Sequence, residues 1–110
     1  MDENDRADLK MSVKKAFDWI LHDAPETESA WYIARLLLWL YKPRIYPNDF
    51  LTYDTDEIRL QWASDIVKYF FISRRQIHLW FDNGLELMDR VEKLYGQRKE
   101  GLNLPIISNN

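Results

Sequence analysis

The segment AWYIARLLLWLY, residues 30–41, decides the fold of this chain. Its second half, residues 36–41, is apolar on every side of a helix, and Arg35 is the only charged residue of the whole segment. A helix that is apolar all round is normally the buried centre of a domain. Pro43 ends it, because proline disfavours the helical conformation in the residue before it. The sequence therefore predicts a central, buried helix over residues 28–41.

Amphipathic helices are predicted on both sides of this central one. Residues 5–23 carry apolar side chains three and four positions apart, which is the spacing of a single helical stripe: Leu9, Val13, Phe17, Ile20 and Leu21. Asp54 and Glu57 have the spacing of a capping box and predict the start of a third helix, which ends near Ile72. The stripe of that third helix is predicted to consist of Ile58, Trp62, Ile66 and either Tyr69 or Phe70.

Two shorter helices are predicted in the last third of the chain. Ser73 and Gln76 again have capping-box spacing, which indicates a helix over about 74–82. Asn83-Gly84 is expected to end that helix, because glycine adopts the left-handed conformation without steric cost. A fifth helix is predicted at about 85–95. The expected fold is therefore a compact all-α domain of four to five helices.

Residues 42–53, KPRIYPNDFLTY, form the longest stretch without a helical pattern. Unpatterned loops of this length in compact domains are often functional or packed against the core. Four large apolar side chains make a packed segment the better interpretation: Ile45, Tyr46, Phe50 and Leu51. We expect these four residues to hold the segment across the helical core.

The composition bounds the class of protein. The chain has 110 residues, no cysteine, three glycines, four prolines, and 15 basic against 18 acidic residues for a net charge of −3. This length supports a single domain, 1–110, with a core over about 6–96 and a tail, 97–110, that either docks or frays. The absence of cysteine excludes disulfide scaffolds and thiolate chemistry, and the scarcity of turn residues argues against a β-barrel or sandwich.

The sequence predicts neither export nor membrane insertion. Residues 1–5 are MDEND, whereas a secretory signal begins with basic residues and continues into an apolar stretch. The longest apolar run covers only residues 36–41, far short of the roughly 20 residues that span a bilayer. We therefore expect a cytoplasmic protein.

No arrangement of residue types in the sequence indicates catalysis or cofactor binding. His22 and His78 lie far apart in the sequence, and a zinc site needs three or four ligands at characteristic spacing, so neither is expected to be a zinc ligand. The carboxylates of Asp54, Asp56 and Glu57 are explained by helix capping. There is no G-x-S-x-G, G-x-G-x-x-G or P-loop pattern. The expectation is a protein that is not an enzyme, with no catalytic residue, no metal ligand and no cofactor.

A helix-turn-helix over residues 73–96 is the alternative that would give DNA binding. Its second helix, 85–95, carries three carboxylates against two basic residues. Phosphate neutralisation supplies most of the affinity for DNA, and an acidic helix opposes it. Nucleic acid is therefore the less favoured partner.

Protein binding is the function that the composition favours. Most of the five Trp, six Tyr and five Phe are expected in the core, and some of them partly exposed or in an interface, where Trp, Tyr and Arg are the anchoring residues. The alternative is that all of the aromatic side chains close over the small core. A self-associating protein, whose dimer hides the apolar half of the second helix, remains an alternative. The candidate anchors and their polar rim are Trp31, Tyr32, Tyr46 and Tyr53, with Arg74 and Arg75.

Three strings of the sequence resemble those of a known family: ARLLLWLY at 34–41, Ile77-His78, and FDNGLEL at 81–87. With a Pro- and Phe-containing segment and a helix between them, they are similar to small uncharacterised proteins of proteobacterial phages, plasmids and integrated mobile elements. The resemblance covers roughly residues 30–96 and carries over no catalytic residue. It implies a protein that binds one host or defence protein, as an inhibitor of a host defence complex in the manner of an anti-CRISPR protein. Steric docking fits better than DNA mimicry, since a net charge of −3 is small.

Overall fold

The computed structural model describes residues 2–97, which form one all-α domain. Its helices are α1 (Glu3–Asp18), α2 (Glu28–Tyr41), α3 (Glu57–Ser73) and α4 (Gly84–Tyr95). Three short elements connect them: a π turn at Trp19–Asp23 and 3₁₀ turns at Asp49–Thr52 and Ile77–Leu79. Within this described range no strand forms. The predicted tail, apart from Gln97, lies outside the described residues.

The first helix forms as its apolar stripe predicts. Asp2 caps it by accepting the Asp5 backbone N–H at 2.9 Å, and the stripe residues from Val13 to Leu21 are buried. α1 packs antiparallel to α3. Ser12 donates to Asp65 at 2.6 Å, and Trp19, further along the chain, meets the earlier α3 residue Trp62 with 5.6 Å between ring centroids. The last turn is a π turn rather than the α-helix predicted there.

α2 is the centre of the domain, as its all-round apolar sequence predicts. Its bounds agree with the predicted 28–41, and the residues from Ala30 to Leu38 are buried except Tyr32. α3, α4 and the short turns all pack against it. No helix within residues 2–97 combines the length and the apolar character that crossing a membrane requires.

The one charged side chain of the central helix beyond its first residue, Glu28, is buried in an ion pair. Arg35 Nε donates to Asp49 Oδ1 at 2.9 Å, and Nη2 donates to Asp49 Oδ2 at 3.2 Å. Arg35 Nη1 donates to the Tyr95 carbonyl at 2.9 Å. Both charged side chains are almost completely buried. These three bonds tie the middle of α2 to the crossover segment, which we define as residues 42–56, and to the end of α4.

The crossover segment packs on the domain, although not through all the predicted side chains. Phe50 and Tyr46 are half-buried, whereas Ile45 and Leu51 are exposed and do not anchor it. The expectation for these two aliphatic residues is wrong. The reason is that Asp49 must reach Arg35 from the 3₁₀ turn, and this orientation leaves Leu51 facing solvent.

α3 begins two residues later than predicted. Asp56, not Asp54, is its N-cap and accepts the Arg59 backbone N–H at 2.9 Å. Asp54 instead donates its backbone N–H to the Glu28 carboxylate at 2.8 Å. The predicted core residue Ile58 is exposed, because the buried stripe of α3 runs through Ala63, Ile66 and Tyr69.

The helix predicted over 74–82 is absent. Ser73 is the last residue of α3, and Arg74 ends that helix in the left-handed conformation at φ 54°. Only Ile77–Leu79 forms a 3₁₀ turn, since Ile77 and Trp80, three positions apart, both point into the core. The helix-turn-helix over residues 73–96 therefore lacks its first helix.

The prediction that Gly84 ends a helix in the left-handed conformation is also wrong. Gly84 is instead the buried first residue of α4. A Cβ at this position would collide with the backbone carbonyl of His78. Gly84→Ala is therefore expected to lower the free energy of unfolding by about 1–3 kcal/mol, as overpacking does. Leu85→Ala, at the exposed neighbouring position, should change it little. Urea denaturation of the two variants checks this, and equal midpoints would contradict the close approach.

Tyr46 joins the crossover segment to α4 by donating its hydroxyl proton to the Glu92 carboxylate at 2.5 Å. Burial, and then this bond to Glu92, raises the pKa of Tyr46 to about 12. Because an unfolded tyrosine has a pKa of about 10, the folded chain holds the proton more tightly. This contribution to stability is complete below about pH 10 and is lost as the pH rises towards 12.

Between about pH 10 and 12, the free energy of unfolding of Tyr46→Phe should therefore fall less than that of the parent chain. Urea denaturation at a series of pH values measures this difference. Burial also raises the pKa of Tyr95, so some loss should persist in the variant. Ordinary ionisation of all tyrosines near pH 10 in the folded chain, followed by tyrosinate absorbance, would refute the expectation.

Candidate functional site

A continuous apolar groove lies on the surface between α2 and α3. Two adjoining hollows of about 480 and 290 Å³ form it, and both are bordered by Trp39 and Val67. α2 contributes Tyr32, Leu36, Trp39 and Leu40 to its walls, and α3 contributes Leu60, Ala63, Val67 and Phe71. We call this surface the α2/α3 groove.

The helical repeat explains why these side chains share one surface. Along α3 the named groove residues are spaced three or four apart, and along α2 Tyr32, Leu36 and Leu40 are spaced four apart, with Trp39 three after Leu36. Ala63 is small and buried, which leaves room between the larger side chains around it. Phe71 lies at the C-terminal end of the α3 wall, and 69% of its surface is exposed. Such an aromatic side chain gains free energy when a partner covers it.

The two helices of the groove run in the same direction. Tyr32 lies at the same end as Leu60, whereas Leu40 lies at the same end as Phe71. Parallel helices need a connection that returns along the domain, and the crossover segment provides it. Its Phe50 ring lies 5.7 Å from the Tyr32 ring and 5.6 Å from the Trp39 ring, between centroids. Phe50 therefore forms part of the wall of the first hollow, between Tyr32 and Trp39.

Basic side chains mark the end of the groove at Phe71. A third hollow of about 640 Å³ continues the groove past Phe71 to Arg74 and Arg75. Lys68 borders the first hollow, so the charged side chains lining the three hollows are all cationic. Both arginines are exposed, and they follow the carboxyl end of α3, where cations are favourable beside the helix dipole.

The predicted interface residues separate into three groups. Trp31 and Tyr53 are 5% and 3% exposed and stack on each other in the core, so the expectation of exposed anchors is wrong for both. Tyr95 packs edge-on against Trp31 and completes its cover.

Of the remaining four, Tyr32, Arg74 and Arg75 belong to the groove, with the tyrosine at one end and the arginines at the other. Tyr46 is half-buried and lies elsewhere, bonded to Glu92.

The sequence pattern missed the middle of the groove. Trp39 and Leu40 were expected inside the buried centre, and Phe71 belonged to no predicted stripe. A signal was present in the doublet Phe70-Phe71, because adjacent helical residues point about 100° apart and the two rings therefore do not share one direction. Only Phe70 packs on the core, against Trp80, and Phe71 is left on the surface.

A second concave surface follows α4 and is acidic. It holds about 860 Å³ and is lined by Tyr41, Lys42, Asp82, Glu86, Asp89 and Glu92, together with Asn83 and Leu85. Lys42 Nζ donates to Glu92 at 3.2 Å. Within residues 2–97 no three His, Asp or Glu side chains are grouped so that they could hold a metal ion. His22 meets Arg90 at the surface, and the His78 ring packs on Tyr41.

No family model matches this chain, and neither a curated protein nor a solved structure does so. A proposal for function therefore depends on the two concave surfaces. Of these, the α2/α3 groove contains the exposed ring of Phe71 together with three of the predicted interface residues, Tyr32, Arg74 and Arg75.

Proposed function

We propose that this protein is a non-enzymatic protein-binding module that docks on one host protein through the α2/α3 groove. The observation that carries the proposal is the continuous apolar lining from Leu60 to Phe71, which stays open in the folded domain. Contiguous exposed apolar surface rimmed by polar residues is typical of protein-interaction sites. The adjacent arginines supply such a rim.

The residue types of the groove agree with this function. Aromatic side chains and arginine are enriched at interfaces and dominate their binding energy. Trp39 and Phe71 are the central aromatic candidates, and Arg74 and Arg75 are the polar ones. The proposed interface does not include Trp31 and Tyr53, because both are in the core. It does not include Tyr46 either, because that side chain is bonded to Glu92.

The resemblance to proteins of phages and mobile elements supports a more specific form of the proposal. In that form the partner is a host defence complex, and docking inhibits it by blocking a surface sterically. Such a partner would place the protein in the bacterial cytoplasm. No observation in the structure favours DNA binding as a second function, because α4 remains acidic and the preceding helix is absent.

A matched pair of surface variants tests this function. Phe71→Glu places a charge in the groove, whereas Met11→Glu places one at an exposed position of α1, and neither removes a buried side chain. Bacterial strains that each carry one defined defence system are infected with phage, with and without the protein. We expect the parent chain and Met11→Glu to raise plaquing efficiency in at least one strain, and Phe71→Glu to lose this effect.

Thermal melting of the purified variants should show that both fold. Full activity of Phe71→Glu would contradict the proposed surface. If the parent chain raised plaquing efficiency in none of the strains, that result would contradict the inhibitor function.

A further inference from the structure

We propose that the occupant of the α2/α3 groove is an acidic amphipathic helix of the partner protein, with its carboxylates at the Arg74–Arg75 end. This inference rests on the proposed function, because it names the chemistry of the partner for the same surface. It is carried by two independent features of the groove, its charge and the type of backbone that forms its walls.

The charge of the groove is opposite in sign to that of the whole chain. Acidic residues outnumber basic ones in the sequence, yet no carboxylate lines any of the three hollows. Among the described residues, Arg74 and Arg75 form no ion pair, so their charges are available to a partner. Lys68 contributes less, since it also borders a hollow that contains Asp5 and Asp65. Complementary charge at an interface sets specificity and register.

The walls of the groove favour a helix over an extended peptide. Both walls are α-helices, whose interior backbone N–H and C=O groups are bonded within the helix. An extended peptide that docks by strand addition needs a free sheet edge, and no strand exists in residues 2–97. A helix satisfies its own backbone and needs only side-chain contacts, so it can lie in the trough between α2 and α3.

The length of the groove suits about three helical turns. Eleven residues separate Leu60 from Phe71, which corresponds to about 17 Å along α3 at 1.5 Å per residue. An amphipathic helix places anchors at positions i, i+3 or i+4, and i+7 over such a distance. The hollows on either side of Trp39 and Val67 would each accept one or two of these anchors.

A single-stranded nucleic acid would need a different surface. Its affinity comes from cations that follow the phosphates and from bases stacked on aromatic rings. In the groove the arginines are gathered at one end and do not follow its length, and aliphatic side chains separate the aromatic rings, among them Leu36, Leu40 and Val67. The observations therefore favour a protein helix.

The test uses the full chain and two synthetic peptides of about 14 residues, roughly 21 Å as helices. Both peptides have the same leucine face; one is flanked by glutamates and the other by lysines. Fluorescence anisotropy measures their binding to the parent chain, Phe71→Glu, Met11→Glu and the double variant Arg74→Glu with Arg75→Glu. The acidic peptide should bind the parent chain and Met11→Glu about tenfold more tightly than the basic peptide. The double charge reversal should invert this preference, and Phe71→Glu should weaken both.

Several outcomes would overturn the inference. Equal affinity for the two peptides, no binding of either, or a preference that survives the charge reversal would each do so. Competition by a single-stranded oligonucleotide with a steep salt dependence would assign the groove to nucleic acid instead. A dimer in sedimentation that Phe71→Glu dissociates would assign it to a second copy.

The two proposals can fail separately. If plaquing is raised and depends on Phe71 but the peptides show no charge preference, the inhibitor function stands and the acidic helix is wrong. If the peptides behave as expected and plaquing is unchanged in every strain, the helix-binding groove stands without the inhibitor function.

Discussion

The buried ion pair between Arg35 and Asp49 is the interaction on which the rest of the structure depends. A guanidinium placed inside a domain core loses its hydration, which costs several kcal/mol unless hydrogen bonds and an opposite charge replace it. Asp49 provides a two-point contact, and the Tyr95 carbonyl accepts a third hydrogen bond. The central helix can therefore be buried only when the crossover segment and the end of α4 are in place.

This requirement also shapes the candidate binding surface. Asp49 must point inward to reach Arg35, and its neighbour Phe50 is then directed towards Tyr32 and Trp39. The part of the groove wall that Phe50 forms is thus a consequence of the ion pair. The crossover segment returns the chain so that α3 begins beside the first turns of α2, which makes the two walls parallel. Core and surface are coupled through two adjacent residues of one 3₁₀ turn.

The central helix could be predicted from sequence because its signals are local. Its apolar run and the proline that follows it each act within a few residues, and the helix has the predicted bounds. The partner of Arg35 could not be predicted in this way. Asp49 lies in a segment without periodicity, where a carboxylate normally faces water, and its burial follows from contacts 14 residues away. Ile45 and Leu51, which were expected to anchor that segment, are exposed for the same reason.

Two other differences between the sequence predictions and the structure also have physical causes. The spacing that predicted a helix over 74–82 also fits a 3₁₀ turn, because Ile77 and Trp80 are three residues apart and both enter the core. Exposed aromatics were expected around residues 31–53, yet Trp31 and Tyr53 cover each other. The exposed aromatic surface instead comes from residues whose neighbours occupy the core, such as Phe71 beside Phe70. Whether a ring is buried or exposed depends on helix orientation, which composition does not determine.

A double-mutant cycle on the buried pair tests the central claim most directly. The free energy of unfolding is measured by urea denaturation for Arg35→Met, for Asp49→Leu and for the two changes together, with Lys93→Ala in the exposed Lys93–Asp89 pair as control. Each single change at the buried pair should cost about 3–5 kcal/mol, because it leaves an uncompensated buried charge. The double change should recover most of that loss, while the control costs about 0–1 kcal/mol. Single changes no more costly than the control, or a double change as costly as the two singles added, would contradict the account.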